Sequence, residues 1–145
     1  MILKPYCMRS FLLLLLTISL LSFCGCKKTV ENQLDNIIIS SMSDGQWVIT
    51  SFKNNGTDIT TDFAGYKFQY HKDMTVDAIK NGTIELTGNW NGDALGKTTW
   101  ASFPGNSLPV TLLNGTWKIS NNTWTYVVAS QTNGTITKSF RLEKQ

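Results

Sequence analysis

The chain has 145 residues, 41% of them hydrophobic and 11% aromatic, enough for one globular domain. Its formal charge of +3 owes much to Lys4 and Arg9; without them eleven basic residues face ten acidic ones, no basis for nucleic-acid binding. The three cysteines, Cys7, Cys24 and Cys26, all lie near the start, and the single histidine, His71, stands alone, which argues against metal centres and thiol chemistry in the body of the chain.

The first segment carries Lys4 and Arg9 ahead of the apolar run "FLLLLLTISLLSF", Phe11 to Phe23, and then small residues. A basic start, a short apolar stretch and a small-residue cleavage site predict a secretory signal. An uncleaved anchor is the alternative, but the run falls short of the roughly 20 residues that span a bilayer. The following "SFCGCKK" resembles a bacterial lipobox, in which small residues precede a cysteine that receives a diacylglyceryl group. Cys26, preceded by Cys24 and Gly25, fits that pattern; Cys24 would put bulky Phe23 at the cut. Phe23 also departs from the leucine usual three places before the acceptor. The resemblance implies a signal peptide over 1–25, acylation of Cys26 with palmitate-type chains, and a mature protein with no free thiol. Residues 26–43, "CKKTVENQLDNIIISSMS", then read as a tether. The run Ile37-Ile38-Ile39 is too apolar for a free linker and is expected to lie on the domain or to form a short edge strand.

From residue 44 the pattern changes. Asn55-Gly56-Thr57, Asn81-Gly82-Thr83, Asn114-Gly115-Thr116 and Asn133-Gly134-Thr135 repeat one tripeptide, and Asn91-Gly92 adds a fifth Asn-Gly pair. Asn-Gly readily takes positive φ at both central positions of a type I′ hairpin, and threonine suits the strand that follows; N-glycosylation is the other reading on paper. Between the turns apolar residues alternate: Tyr66, Phe68, Tyr70; Ile84, Leu86, Trp90; Trp117, Ile119; Trp124, Tyr126, Val128. Period two means sheet with one dry face, and no window offers a comparable helical stripe. Strands are expected near 46–53, 65–71, 74–80, 83–90, 97–103, 115–120, 123–130 and 134–143. Pro104 and Pro109 bar a central strand between the fifth and sixth of these and favour a loop or short helix. The expected fold is all-β, an eight-stranded antiparallel up-and-down barrel over 44–145. A two-sheet sandwich satisfies the same periodicity.

"GQWVITSF", Gly45 to Phe52, resembles the Gly-x-Trp opening of lipocalins. Gly65-Tyr66 with Phe68, Asp73 to Val76, Thr87-Gly88 with Trp90, "LNGTWKI" and "FRLEK" extend the resemblance to small lipocalin-like lipoproteins of Bacteroidetes-type bacteria, over essentially all of 44–144. Met74, where the turn glycine is usual, departs from the pattern. The resemblance implies a calycin-like barrel, and a late arginine lying across the first-strand tryptophan, here Arg141 on Trp47. An outward, solvated Arg141 is the alternative, because it alternates with Phe140 and Leu142. The resemblance also implies an outer-membrane lipoprotein. Lys27 and Lys28 after the acylated cysteine are not the acidic export patch associated with surface display, so a periplasmic face is expected.

For the site, Trp47, Tyr66, Phe68, Leu86, Trp90, Trp117, Trp124 and Tyr126 are expected to point inward, either as core or as the wall of a cup for a small ligand. Ser51, sharing a face with Trp47 and Ile49, and Lys138, sharing one with Phe140 and Leu142, are polar residues on the inward register. Lys138 either snorkels to the rim or orients an anionic head group. The ligand-binding candidates are therefore Trp47, Ser51, Tyr66, Phe68, Trp90, Trp117, Tyr126 and Lys138. No constellation for catalysis, cofactor or metal stands out. A non-enzymatic, membrane-tethered binder or carrier of a small apolar or amphipathic molecule is the leading expectation. A filled barrel serving as a docking module or inhibitor is the rival.

Overall fold

Alternating side chains after residue 44 do close into a cylinder. A computed structural model describes residues 23–145. Residues 35–145 form one compact unit; of the preceding unit, 1–34, only the helical backbone from Phe23 and a few side chains are described. The leucine-rich run to residue 22 and the side chain of Cys26 lie outside the described residues. A helix α1 (Phe23–Ser43) is followed by β1 (Trp47–Asn54), β2 (Thr57–Asp58), a 3-10 turn at Thr60–Phe63, β3 (Tyr66–Tyr70), β4 (Thr75–Lys80) and β5 (Thr83–Asp93). Then come β6 (Thr98–Ser102), a second 3-10 turn at Val110–Leu113, β7 (Gly115–Asn122), β8 (Tyr126–Asn133) and β9 (Ile136–Lys144). Each strand from β3 to β9 pairs antiparallel with the next, and β1 pairs with both β3 and β9, so the sheet closes as an eight-stranded up-and-down barrel. The sandwich is thereby excluded. The two-residue β2 only folds back on the end of β1.

Closure is uneven. β1 runs beside β9 along its whole length, from Trp47 opposite Lys144 to Asn54 opposite Lys138, but meets β3 only where Trp47 faces Phe68.

The turns divide by chemistry. Asn55-Gly56 and Asn81-Gly82 take positive φ at both residues, 49° and 79°, then 50° and 87°, as a type I′ hairpin requires. Asn114 does another job: its side chain accepts from Phe103 N at 2.7 Å and donates to Phe103 O at 3.0 Å, pinning the long β6–β7 connection. The pair Asn91-Gly92 is not a turn but the end of the long strand β5; the bend falls at residues 94–97 with Lys97 at φ 50°. Met74 takes the left-handed φ of 68° that glycine would occupy in the β3–β4 hairpin.

Call the end with the β1–β3 and β6–β7 connections the base. Both 3-10 turns plug it. Phe63 stacks on Phe52 at 4.8 Å, Trp117 meets Phe52 and Phe140 edge-on at 6.1 and 4.7 Å, and Trp117 Nε1 donates to Leu113 O at 2.7 Å. Val110, Leu113 and Phe103 complete the packing. Burying each of these rings stabilises the fold by about 3 kcal/mol. Gly88 permits the barrel wall to close here, since a Cβ would stand 2.6 Å from Ser102 O and 2.8 Å from the Phe103 ring.

The helix was not expected from the sequence. Its last turns supply Ile38, Ile39 and Met42, which pack on the barrel core. Their spacing puts Ile38 and Met42 one above the other on one face, with Ile39 beside them. The isoleucine run thus lies on the domain as expected, in a helix rather than an edge strand. No described helix is long and apolar enough to cross a membrane.

Candidate functional site

At the opposite end of the barrel, the mouth, the interior is not filled. Here the hairpins β3–β4, β5–β6 and β7–β8 gather around the last turns of α1, and a cavity of about 360 Å³ lies between helix and barrel. That is within the range of small-molecule sites. The helix contributes Ile37, Ile38, Ser41 and Met42. The barrel contributes Tyr70 and Trp90 from one side, then Ile119, Val127 and Leu142 from the other. Asn122, Thr123 and Trp124 form the lip at the β7–β8 hairpin.

Three contacts hold the helix over the mouth. Trp47 Nε1 donates to Met42 O at 2.8 Å, satisfying a carbonyl at the helix C-terminus that has no partner within the helix. Asp35 Oδ1 accepts from Ala94 N at 3.3 Å, at the β5–β6 bend. Gly92 lets Ile38 approach: a Cβ at residue 92 would lie 3.0 Å from Ile38 Cγ2. Just beyond the helix, Asp44 pairs with Lys144 at 2.8 Å, and that lysine sits 6.0 Å above the Trp47 ring.

The polar inventory of the cavity is short. Trp90 Nε1 donates to His71 O at 3.2 Å, and the Trp90 ring stands edge-on to Tyr70 at 5.0 Å. Thr99 Oγ1 donates to Asn91 O. Tyr70 Oη and Ser41 Oγ make no hydrogen bond among the described residues, and neither is a sealed atom. Burial raises the Tyr70 phenol well above its usual pKa, so it stays protonated. No lining residue among the described residues is charged.

The residues singled out in the sequence separate sharply by level. Trp90 lines the cavity. Trp47, Tyr66, Phe68 and Trp117 are buried as expected, but as packed core away from the cavity lining. The Tyr66 hydroxyl donates to Glu85 at 2.6 Å; burial first, and that carboxylate second, push the phenol up to about 12. Leu86 packs partly buried against the core. Lys138 points inward at the base, where Nζ donates to Leu112 O at 2.8 Å and sits 5.2 Å over the Trp117 ring. Burial lowers its amine pKa. It braces the second 3-10 turn, at the end remote from the cavity.

Three placements are corrected. Ser51 does not share the inner face with Trp47, because a bulge between Ile49 and Ser51 shifts the register and turns Phe52 inward instead. Tyr126 lies on the outer face, where the Arg141 guanidinium covers its ring at 4.1 Å; Val127 and Ala129 take the inner positions. Trp124 belongs to the hairpin and is 66% exposed. The Arg141–Trp47 contact is likewise replaced. Arg141 alternates with inward Phe140 and Leu142, so it faces outward to Tyr126 and Glu143, and Lys144 takes the place above Trp47.

The sequence reading missed Ile38, Met42, Tyr70 and Gly92 as parts of a site. Tyr70 was visible in the alternation Tyr66-Phe68-Tyr70, and Ile38 with Met42 had helical spacing.

In structure the chain is similar to a DUF4847 family protein from Bacteroides vulgatus ATCC 8482, at a TM-score of 0.50 and 13% identity, covering 74% of this chain and 99% of that one. At that identity the likeness speaks for the fold, a small β-barrel. No family model matches the sequence, and no curated protein does.

Proposed function

We propose that this protein is a lipocalin-like envelope lipoprotein that binds or carries a small apolar or amphipathic molecule without chemically changing it. The observation that carries this reading is the apolar cavity of about 360 Å³ under the helix. A barrel whose base is packed tight and whose mouth keeps a ligand-sized space is built as a cup. The anchor in this proposal is acylated Cys26, left as the first residue after removal of a signal peptide over 1–25, with 26–43 leading into the barrel. Several acyl chains, each buried methylene contributing about 0.8 kcal/mol, make such anchoring durable. The expected location is the periplasmic face of the outer membrane.

Trp90 and Trp124 both border the cavity and report its occupancy. Titrating the processed protein in lipid nanodiscs with fatty alcohols, fatty acids and small aromatics, against protein-free nanodiscs as blank, shifts and saturates the tryptophan emission. Silence across that panel removes the carrier reading and leaves a docking lipoprotein. Mass spectrometry tests the anchor separately, by a mature form beginning with acylated Cys26.

A further inference from the structure

We infer that the cavity selects an uncharged amphipathic molecule, an apolar body bearing one or two neutral hydrogen-bonding groups, and discriminates against carboxylates and ammonium ions. This rests on the carrier reading and narrows it.

The argument is one of charge and of leftover hydrogen bonds. A carboxylate entering apolar surroundings without a counter-ion incurs a penalty far above what a single neutral hydrogen bond returns. Among the described residues around the cavity none supplies a counter-ion. The lysine of the adjoining recess, Lys144, is already held by Asp44 at 2.8 Å. An ammonium ion fares no better, because neither Asp35 nor Asp44 is among the described residues lining the cavity, and Asp44 is already paired with Lys144. The indole faces of Trp90 and Trp124 pack an apolar body, and what a cation gains over such a ring is less than the desolvation of an unpaired ammonium costs.

What the cavity does offer is neutral. Tyr70 Oη and Ser41 Oγ lack partners among the described residues, and both open onto accessible space. They sit on different walls, one on the barrel and one on the helix. A hydroxyl, ketone, ester or amide can pair with either. The phenol stays protonated across the physiological range, so it remains a donor.

The test uses the processed protein in nanodiscs and three probes of equal chain length: 1-decanol, decanoate and decylammonium at pH 8, read by tryptophan emission. Decanol is expected to bind at least about tenfold more tightly than either ion. Tyr70→Phe is expected to weaken decanol roughly threefold to tenfold, the size of one net hydrogen bond. Decanoate or decylammonium binding as tightly as decanol overturns the inference and leaves the carrier reading standing. No binding by any of the three takes both down. Decanol affinity unchanged in both Tyr70→Phe and Ser41→Ala removes the hydroxyls from the site.

Discussion

The base and the mouth of this barrel are built from the same strands and the same alternation, yet one is solid and the other hollow. At the base the long connections turn inward and deliver Phe63, Val110 and Leu113 between the rings of Phe52, Trp117 and Phe140. At the mouth the hairpins are short and send nothing inside; a helix from outside the barrel covers the opening with aliphatic side chains of modest volume. Whether an alternating strand yields core or cup is therefore decided by what caps its end. The strand pattern itself is silent on that.

Truncation at the two levels breaks the comparison most strongly. Trp117→Ala at the base is expected to cost about 3–5 kcal/mol in urea unfolding, since neighbouring rings cannot collapse into the space. Val127→Ala, at the cavity wall, costs about 1 kcal/mol, because its side chain already borders open volume. Equal losses would mean the mouth is as tightly packed as the base. A smaller effect sharpens the role of the helix. Trp47→Phe keeps a ring but removes the hydrogen bond to Met42 O, with an expected cost of about 1–2 kcal/mol. Amide exchange in the last turn of α1 should then accelerate while the base strands keep their protection.

The smallest effect concerns acid. The Asp77 carboxyl is held below the usual carboxylate range, first by the Thr87 hydroxyl and next by hydrogen bonding to His71, against a burial effect that raises it. A carboxyl lowered on folding contributes stability that is fully present above its unfolded pKa and is lost as pH falls through the folded value. Asp77→Asn should therefore flatten the acid side of the stability profile, by less than about 1 kcal/mol because the histidine partner is 40% exposed and the pair is screened by solvent. An unchanged acid slope would show that the pair does nothing.

Much of the barrel was legible, and the reason is period two. Tyr66 and Phe68, Trp90, Trp117, Phe140 and Leu142 announced their inner faces by alternation. Register faults were not legible in that way. A bulge adds one residue and reverses every side chain beyond it, so Ser51 was placed on the wrong side. Tyr126 was misplaced for another reason: its alternation was counted from Trp124, which belongs to the hairpin, whereas β8 pairs with β9 without a shift. One clue to the bulge existed: Phe52 breaks the parity of Trp47 and Ile49, and a large aromatic rarely chooses the wet face. The cavity was harder to foresee, because one of its walls, Ile37, Ile38, Ser41 and Met42, comes from a helix. Residues 26–36 are too polar to advertise an amphipathic stripe, which leaves only Ile38, Ile39 and Met42 to signal it. Asn91-Gly92 misled for a related reason, since that glycine exists for the approach of Ile38, not for a bend.

The seam at β1 has a consequence for how the protein comes into being. Its first strand touches β3 at one point and leans on β9 for the rest. Until the last strand has left the ribosome, the first has almost nothing to zip against. Such distant pairing belongs to slow folders, on the millisecond-to-second scale. A nascent chain of this kind therefore keeps its cylinder unlatched until synthesis is complete.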